Sequence, residues 1–109
     1  MYVSITGLRL RRAVYAPRFW SLAIRAIHQA KSDRACLAVD TRTIRGVHHT
    51  RSLWVSEAEM RRFLKEGAHL TAMRSFREIA TGKTLGFTAE ALPDWAEARR
   101  LWDSEAHEY

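Results

Sequence analysis

The stretch from Val47 to Phe76 restricts the possible folds more than any other part of the chain. A strand is predicted over residues 44–55, where a period of two places alternate side chains on opposite faces. Ser56 follows at once, with Glu59 three residues later, and this spacing is a capping box that begins a helix. A second apolar stripe, which carries His69, comes after Gly67. The stretch therefore predicts a strand, a helix and a further helical segment in direct succession.

Hydrophobic periodicity divides the rest of the chain in the same way. A period of two predicts strands over Tyr2–Leu10, 35–42 and 83–92, and Ala16-Pro17 opens an amphipathic helix. We expect a turn at 43–46 to join the second strand to the third, and Thr81-Gly82 to end the second helical region. The order β-α-β-β-α-β predicts an α+β, ferredoxin-like protomer, in which helices cover one face of a four-stranded antiparallel sheet.

The strands carry apolar residues in both registers, so the second face of the sheet also needs cover. Pairing with a second subunit would supply it, which predicts a homodimer. We expect residues 1–92 to form the domain and residues 93–109 to form a helical tail. Trp95 and Trp102 in this tail need a surface to pack on, which belongs either to the same subunit or to a partner.

The chain has 109 residues, which is enough for one core, and a net charge of +6. Its basic residues are scattered, and the densest cluster, Arg9, Arg11 and Arg12, is interpreted as a solvated strand end. Without a recognisable reading motif, nucleic-acid binding is not expected. No apolar run approaches the roughly 20 residues of a membrane-spanning helix, and we expect a cytoplasmic protein that does not enter a membrane.

On one face of the predicted third strand, four alternate residues have side chains that can form hydrogen bonds. They are His48, Thr50, Ser52 and Trp54. These side chains would line a cavity if one exists, or form a wet interface between subunits. Trp54 suits stacking on a planar substrate, but it equally suits the core between sheet and helix. Arg51, on the opposite face, could pair with a carboxylate at the surface or reach an anionic ligand, and the ion pair is the favoured interpretation.

His69 lies on or beside an apolar helix face, where it could act as a metal or haem ligand or as a general base, or simply as a core histidine. His48 and His49 are adjacent on a strand and point to opposite faces, so they cannot chelate one metal ion together. No carboxylate or Cys stands nearby at ligand spacing, and no metal site is predicted.

The run SerLeuTrpValSerGluAlaGluMetArgArgPheLeu, followed by GlyAlaHisLeuThrAlaMet, resembles the end of the third strand and the second helix of the antibiotic biosynthesis monooxygenase-like family of dimeric α+β barrels. The resemblance implies a homodimer with a cleft between sheet and helices in each subunit. Some members of that family oxidise aromatic polyketides without metal or flavin, and others bind haem through a helix His. By position, Trp54 matches the strand-ending Trp, and His69 approximately matches the helix His.

This sequence departs from the family pattern in one respect, because it contains no Asn, whereas active oxygenases of the family commonly use an Asn in the cleft. Ser4 or Thr6 occupies the comparable region. If the chain is an enzyme, we expect a monooxygenase-like oxidoreductase acting on a small apolar or aromatic compound without a cofactor, with haem as the open alternative. In this hypothesis His69 and His48 handle protons, and the substrate-binding residues are Trp54, Thr50 and Ser52. The alternative is a non-catalytic homodimer that binds a small ligand or a partner protein.

Overall fold

The structure is a computed structural model that describes residues 1–108, apart from the side chain of Ala68. In this part of the chain one antiparallel sheet holds five strands, in the order β2-β3-β1-β4-β5. The strands are β1 (Tyr2–Leu10), β2 (Cys36–Ile44), β3 (Val47–Trp54), β4 (Ala80–Thr88) and β5 (His107–Glu108). The helices are α1 (Ala16–Lys31), α2 (Glu57–Leu64), α3 (Gly67–Ile79) and α4 (Trp95–Glu105), and a 3₁₀ turn at Ala13–Tyr15 leads into α1.

The predicted β-α-β-β-α-β order is confirmed, with the first four strands arranged as in a ferredoxin-like sheet. The prediction of four strands was wrong, because β5 adds a fifth at the β4 edge, where Lys83 pairs with Glu108. Two residues are too few to give a periodic pattern in a sequence. Tyr109, the last residue of the predicted tail, lies outside the described residues.

A two-residue turn joins β2 to β3. Arg45 and Gly46 both have positive φ, 49° and 78°, which is the backbone of a type I′ hairpin turn. Ile44 therefore pairs with Val47, and Thr43 pairs with His48. The turn predicted at 43–46 is shorter than expected, and this places Thr43 inside β2.

Three helices cover the face of the sheet to which the even-numbered residues of β1 point. In α1 the buried residues are Phe19, Ala26 and Ala30, and the small alanines allow close packing on the sheet. Ile24 is 51% exposed, because the helix turns Phe19 toward the sheet instead. Within residues 1–108, no helix is long and apolar enough to cross a bilayer.

The predicted break between α2 and α3 is confirmed at Gly67, where φ is 50°. Ser56 caps α2 by accepting a hydrogen bond from the Glu59 amide at 3.2 Å. The predicted end of the second helical region at Thr81-Gly82 was wrong, because the ladder between β4 and β1 already starts at Ala80. Pairing with β1 replaces a glycine cap, and α3 ends at Ile79.

The tail helix α4 packs on the opposite face of the sheet. Asp94 caps it, and Trp95, Ala98 and Trp102 are buried against Val3 and Ile5 of β1. Gly7 of β1 makes room for the indole of Trp102, whose N–H donates to the carbonyl of Lys83 at 2.9 Å. A glycine inside a strand here allows a close approach to the backbone.

The packing of α4 removes the exposed apolar surface from which a homodimer was predicted. The second sheet face was expected to need a second subunit, but α4 of the same chain covers its apolar centre. The two tail tryptophans, 9% and 7% exposed, are satisfied within the chain. The homodimer stays a prediction that this apolar face no longer requires.

The contact between Gly7 and Trp102 can be tested with a double-mutant cycle. A β-carbon at position 7 would lie 2.5 Å from Cε2 and Cζ2 of Trp102, so we expect Gly7→Ala to lower the free energy of unfolding by about 1–3 kcal/mol. In a Trp102→Ala background the same change should cost less than about 0.5 kcal/mol, because no ring remains to collide with it. Urea unfolding measures both, and an equal cost in the two backgrounds would contradict this packing.

Candidate functional site

A cavity of about 460 Å³ lies between the sheet and helices α1, α2 and α3. We call it the sheet–helix cavity. Its floor carries hydroxyl groups from four strands, namely Ser4, Thr6, Thr41, Thr43, Thr50, Ser52 and Thr84. Its roof is mostly apolar and comes from the helices, including Phe19, Ala26, Met60, Phe63, Met73 and Phe76. Such a volume is within the range of small-molecule sites, and the arrangement suits a compound with an apolar body and polar edges.

The structure brings together all five side chains predicted to form a site, since His48, Thr50, Ser52, Trp54 and His69 line this cavity. The first four come from β3, where alternate side chains share a face. His69 lies in the first turn of α3 and lines the same cavity from the helix side. Their roles in binding or catalysis stay predictions.

His48 stands against two aromatic rings, with ring-centre distances of 4.9 Å to Phe19 and 5.0 Å to Trp20. Its Nδ1 lies 2.8 Å from Oγ1 of Thr43, directly across the hairpin. When Nδ1 donates this hydrogen bond, Nε2 carries the free lone pair. Burial lowers the pKa of His48, so the neutral imidazole, the form that can accept a proton, predominates near pH 7.

Trp54 is a wall of the cavity and also part of the core. It is 2% exposed, its ring lies 4.9 Å from that of Phe63, and its indole N–H donates to Oγ of Ser52 at 2.9 Å. The hydrogen bond satisfies the polar group of a buried ring and fixes the Ser52 hydroxyl. The two interpretations of Trp54 drawn from the sequence are thus compatible.

His69 is held in place by α1. Oε1 of Gln29 accepts a hydrogen bond from the His69 backbone amide at 2.8 Å, and Nε2 of Gln29 donates to the carbonyl of Glu66 at 3.1 Å. The imidazole packs on Phe63 at 4.8 Å, and its buried Nδ1 has no hydrogen-bond partner within residues 1–108. Burial lowers the pKa of His69 to about 4, and the backbone of Leu64 offsets this only in part.

The neighbouring His49 and Arg51 belong to the other side of the sheet, as predicted. Nδ1 of His49 donates to the Thr6 carbonyl at 3.1 Å, and Arg99 of α4 donates to its Nε2 at 3.0 Å. Arg51 forms a two-pronged ion pair with Asp40, at 2.7 and 3.0 Å, which confirms the ion-pair interpretation. Neither side chain is free to act on a ligand in the cavity.

Sequence reasoning missed Thr43, Phe19 and Gln29. A two-residue turn at Arg45-Gly46 would have put Thr43 opposite His48, so Thr43 could have been found from the hairpin register alone. Phe19 required the rotation of α1 about its axis, which packing decides. Gln29 lies 40 residues from His69 in the sequence, and no local pattern links the two.

Haem would need a ring nitrogen of His69 as its iron ligand. If Nε2 were the ligand, Nδ1–H should have the acceptor that metal-binding histidines use to orient the ring, and within residues 1–108 no atom accepts from it with hydrogen-bond geometry. If Nδ1 were the ligand, the protein atoms that bury it would occupy the position of the iron. His69, the residue predicted as a haem ligand, therefore does not fit that role. Residues 1–108 also contain no group of three His, Cys, Asp or Glu side chains able to hold a metal ion.

Solved structures with a similar backbone identify the architecture. An antibiotic biosynthesis monooxygenase superposes with a TM-score of 0.73 and 13% identity over 85% of this chain and 100% of its own. The chain has the antibiotic biosynthesis monooxygenase fold. SnoaB, a cofactor-independent oxygenase from Streptomyces nogalater, is similar with a TM-score of 0.69 and 16% identity over 85% of this chain and 96% of its own.

A third protein of this fold, a candidate antibiotic biosynthesis monooxygenase from Deinococcus radiodurans, has a TM-score of 0.73 and 15% identity over 86% of this chain and 97% of its own. No protein-family profile matches the chain, and no curated protein is similar to it in sequence. The fold resemblance suggested by the run from Ser52 to Leu64 is confirmed. At these identities the monooxygenase fold is shown and the reaction is not.

The pKa of His69 predicts a pH dependence of stability. Since His69 has a pKa of about 4 when folded and about 6.5 when unfolded, the unfolded chain takes up the proton first. Wild type should therefore lose up to about 3 kcal/mol of unfolding free energy as pH falls from about 6.5 to about 4, and should show no such change above pH 6.5. Urea unfolding of His69→Leu and His69→Gln should lack this loss. Identical pH profiles for wild type and both variants would contradict the burial of a neutral His69.

A haemin titration tests whether His69 can bind haem iron. We expect no stoichiometric change of the Soret band with wild type, because neither nitrogen of His69 is arranged as an iron ligand. His69→Ala serves as the control for unspecific haemin adsorption. A one-to-one spectral change that is present in wild type and lost in His69→Ala would show that haem binds there.

Proposed function

We propose that this protein is a cofactor-independent monooxygenase-like enzyme that oxidises a small aromatic compound in the sheet–helix cavity. The observation that carries the proposal is a neutral, oriented His48 inside a cavity with an apolar roof and a hydroxyl-rich floor. The fold supports it, because one protein of the same fold is a cofactor-independent oxygenase.

The cavity favours a flat substrate. Phe19 and Phe76 lie 5.2 Å apart at one end, and Trp54 and Phe63 lie 4.9 Å apart at the other. Aromatic walls at both ends provide stacking and edge contacts for a ring system. Thr50 and Ser52 on the floor would orient its oxygen atoms by hydrogen bonds, as would the Ser4 and Thr6 hydroxyls where the family commonly has an Asn.

His48 is the proposed general base. Thr43 holds Nδ1, and Nε2 then accepts a proton from an acidic C–H or O–H of the substrate. His69, with its lower pKa of about 4, is a weaker base and would act as a neutral hydrogen-bonding partner for a substrate oxygen. Trp54 would hold the ring while the proton is removed.

All electrons come from the substrate in this scheme. Deprotonation of a CH2 group gives a carbanion stabilised by the aromatic system, and this carbanion reduces O2 as a carbon–oxygen bond forms. Loss of water then leaves a carbonyl group. The sum is CH2 plus O2 giving C=O plus H2O, so one oxygen atom enters the product and the other enters water. No external reductant is required.

The second candidate is a non-catalytic module that binds a small ligand in the same cavity. A non-catalytic module could instead bind a partner protein through the tail tryptophans, but Trp95 and Trp102 are buried on the chain's own sheet, which conflicts with that role. An open cavity beside Trp54 and His69 favours small-molecule binding of either kind. Catalytic turnover distinguishes the enzyme from the binding module.

Oxygen uptake with anthrone, a planar tricyclic ketone that has an acidic CH2 group, tests the proposal. We expect one O2 consumed per quinone formed, with one ¹⁸O atom in the product under labelled O2. His48→Ala should lower kcat about 100- to 10,000-fold, the usual contribution of a general base. Thr43→Ala should lower it less, because it removes only the orienting hydrogen bond.

His28→Ala is the matched control, since His28 is an exposed histidine on α1 away from the cavity lining. It should retain wild-type kcat. Quenching of tryptophan fluorescence by anthrone reports binding separately from turnover. Saturable binding without uptake above the uncatalysed rate would contradict an enzyme acting on this class of compound and support the binding module.

A further inference from the structure

A second cavity of about 500 Å³ lies on the α4 side of the sheet, away from the sheet–helix cavity. Five basic side chains converge on it. They are Arg9 in β1, Arg11 just after β1, Arg77 in α3, Lys83 in β4 and Arg99 in α4. One acidic residue, Glu108, stands among its lining residues. The sequence shows only the run at Arg9 and Arg11, and the fold brings in the other three cations.

Most of this charge forms no ion pair in the part of the chain that the structure describes. Four of the five cations form no ion pair within residues 1–108, namely Arg9, Arg11, Arg77 and Lys83. Arg9 and Arg11 donate instead to the neutral carbonyl groups of Arg45 and Arg77, both at 3.2 Å. By contrast, Arg62 of α2 pairs with three carboxylates. Five cations beside one lining carboxylate, Glu108, repel one another, and an anion would relieve this repulsion.

The site is also built on rigid elements. Gly7 faces Lys83 across the sheet, Arg9 faces Thr81 two residues further on, and the absence of a side chain at Gly7 lets the Trp102 indole pack directly on β1. The indole of Trp102 is fixed by its bond to the Lys83 carbonyl. Nζ of Lys83 and Cζ of Arg99 lie 5.3 and 5.2 Å from its ring centre. These cation–π contacts hold two of the positive groups in place before any ligand arrives.

We propose that this cavity binds a phosphate-bearing small molecule. Guanidinium groups match phosphate oxygens in two-pronged hydrogen bonds, and three arginines with one lysine supply enough donors for more than one phosphate group. The Thr81 hydroxyl adds a neutral donor on the floor. Because the site is walled by Trp102 and α4, a compact anion fits it better than an extended nucleic-acid backbone, which needs a long basic track.

The experiment is calorimetric titration with pyrophosphate and with inorganic phosphate, at a constant ionic strength of about 0.15 M so that general screening does not change. We expect one pyrophosphate per chain and weaker binding of inorganic phosphate. Arg77→Gln and Lys83→Gln should each raise Kd about tenfold, as expected for a lost charge-assisted hydrogen bond. Neither side chain makes an ion pair in the described part of the chain, and thermal unfolding checks that both variants fold.

Arg25→Gln is the matched control, because it removes one exposed positive charge on α1 far from this cavity. It should leave Kd for pyrophosphate unchanged within about twofold. Equal weakening by Arg25→Gln, or no binding of pyrophosphate by wild type, would overturn the proposal. A short labelled DNA duplex is the last comparison, and duplex binding that is tighter than pyrophosphate binding and is lost in Arg77→Gln and Lys83→Gln would also overturn it.

Discussion

The burial of Trp95 and Trp102 on the sheet is the interaction on which the rest of the structure depends. It gives the central strands an apolar core on the α4 side, built around Val3 and Ile5. The opposite side then needs apolar packing only at its ends, where one cluster surrounds Trp54 and another surrounds Phe19. The space between these two clusters can remain open, with hydroxyl groups on its floor, and this is the sheet–helix cavity. The same helix also forms one wall of the second cavity, which we call the basic cavity because Arg9, Arg11, Arg77, Lys83 and Arg99 line it.

Most of the fold could be predicted from periodicity and caps, because these are local. The alternation over residues 47–55 gave the correct face for every side chain of β3, and Ser56 marked the start of α2. The errors came where tertiary contacts override local signals. Pairing of β4 with β1 from Ala80 onward replaced the expected glycine cap, and packing turned Phe19 rather than Ile24 toward the sheet. The position of α4 could not be read at all, since either sheet face or a partner offered apolar surface.

Only the part of the candidate site that lies on β3 could be predicted from the sequence. A single strand determines that His48, Thr50, Ser52 and Trp54 share a face, whereas the approach of His69 depends on how three helices pack. The basic cavity shows the same limit more clearly, since its cations are separated by up to 90 residues in the sequence and meet only through sheet pairing and α4. Charge counts alone suggested no site there.

Gln29 has a mechanical consequence for the sheet–helix cavity. One amide side chain bonds both to the carbonyl of Glu66 and to the backbone of His69, so α1 is tied to the start of α3 through two hydrogen bonds. A ligand that displaces α1 would carry His69 with it, and the cavity would widen by lifting a paired unit off the strands rather than by parting the helices. Redesign of this cavity for larger compounds should accordingly shorten side chains on the floor and leave the helix pair intact.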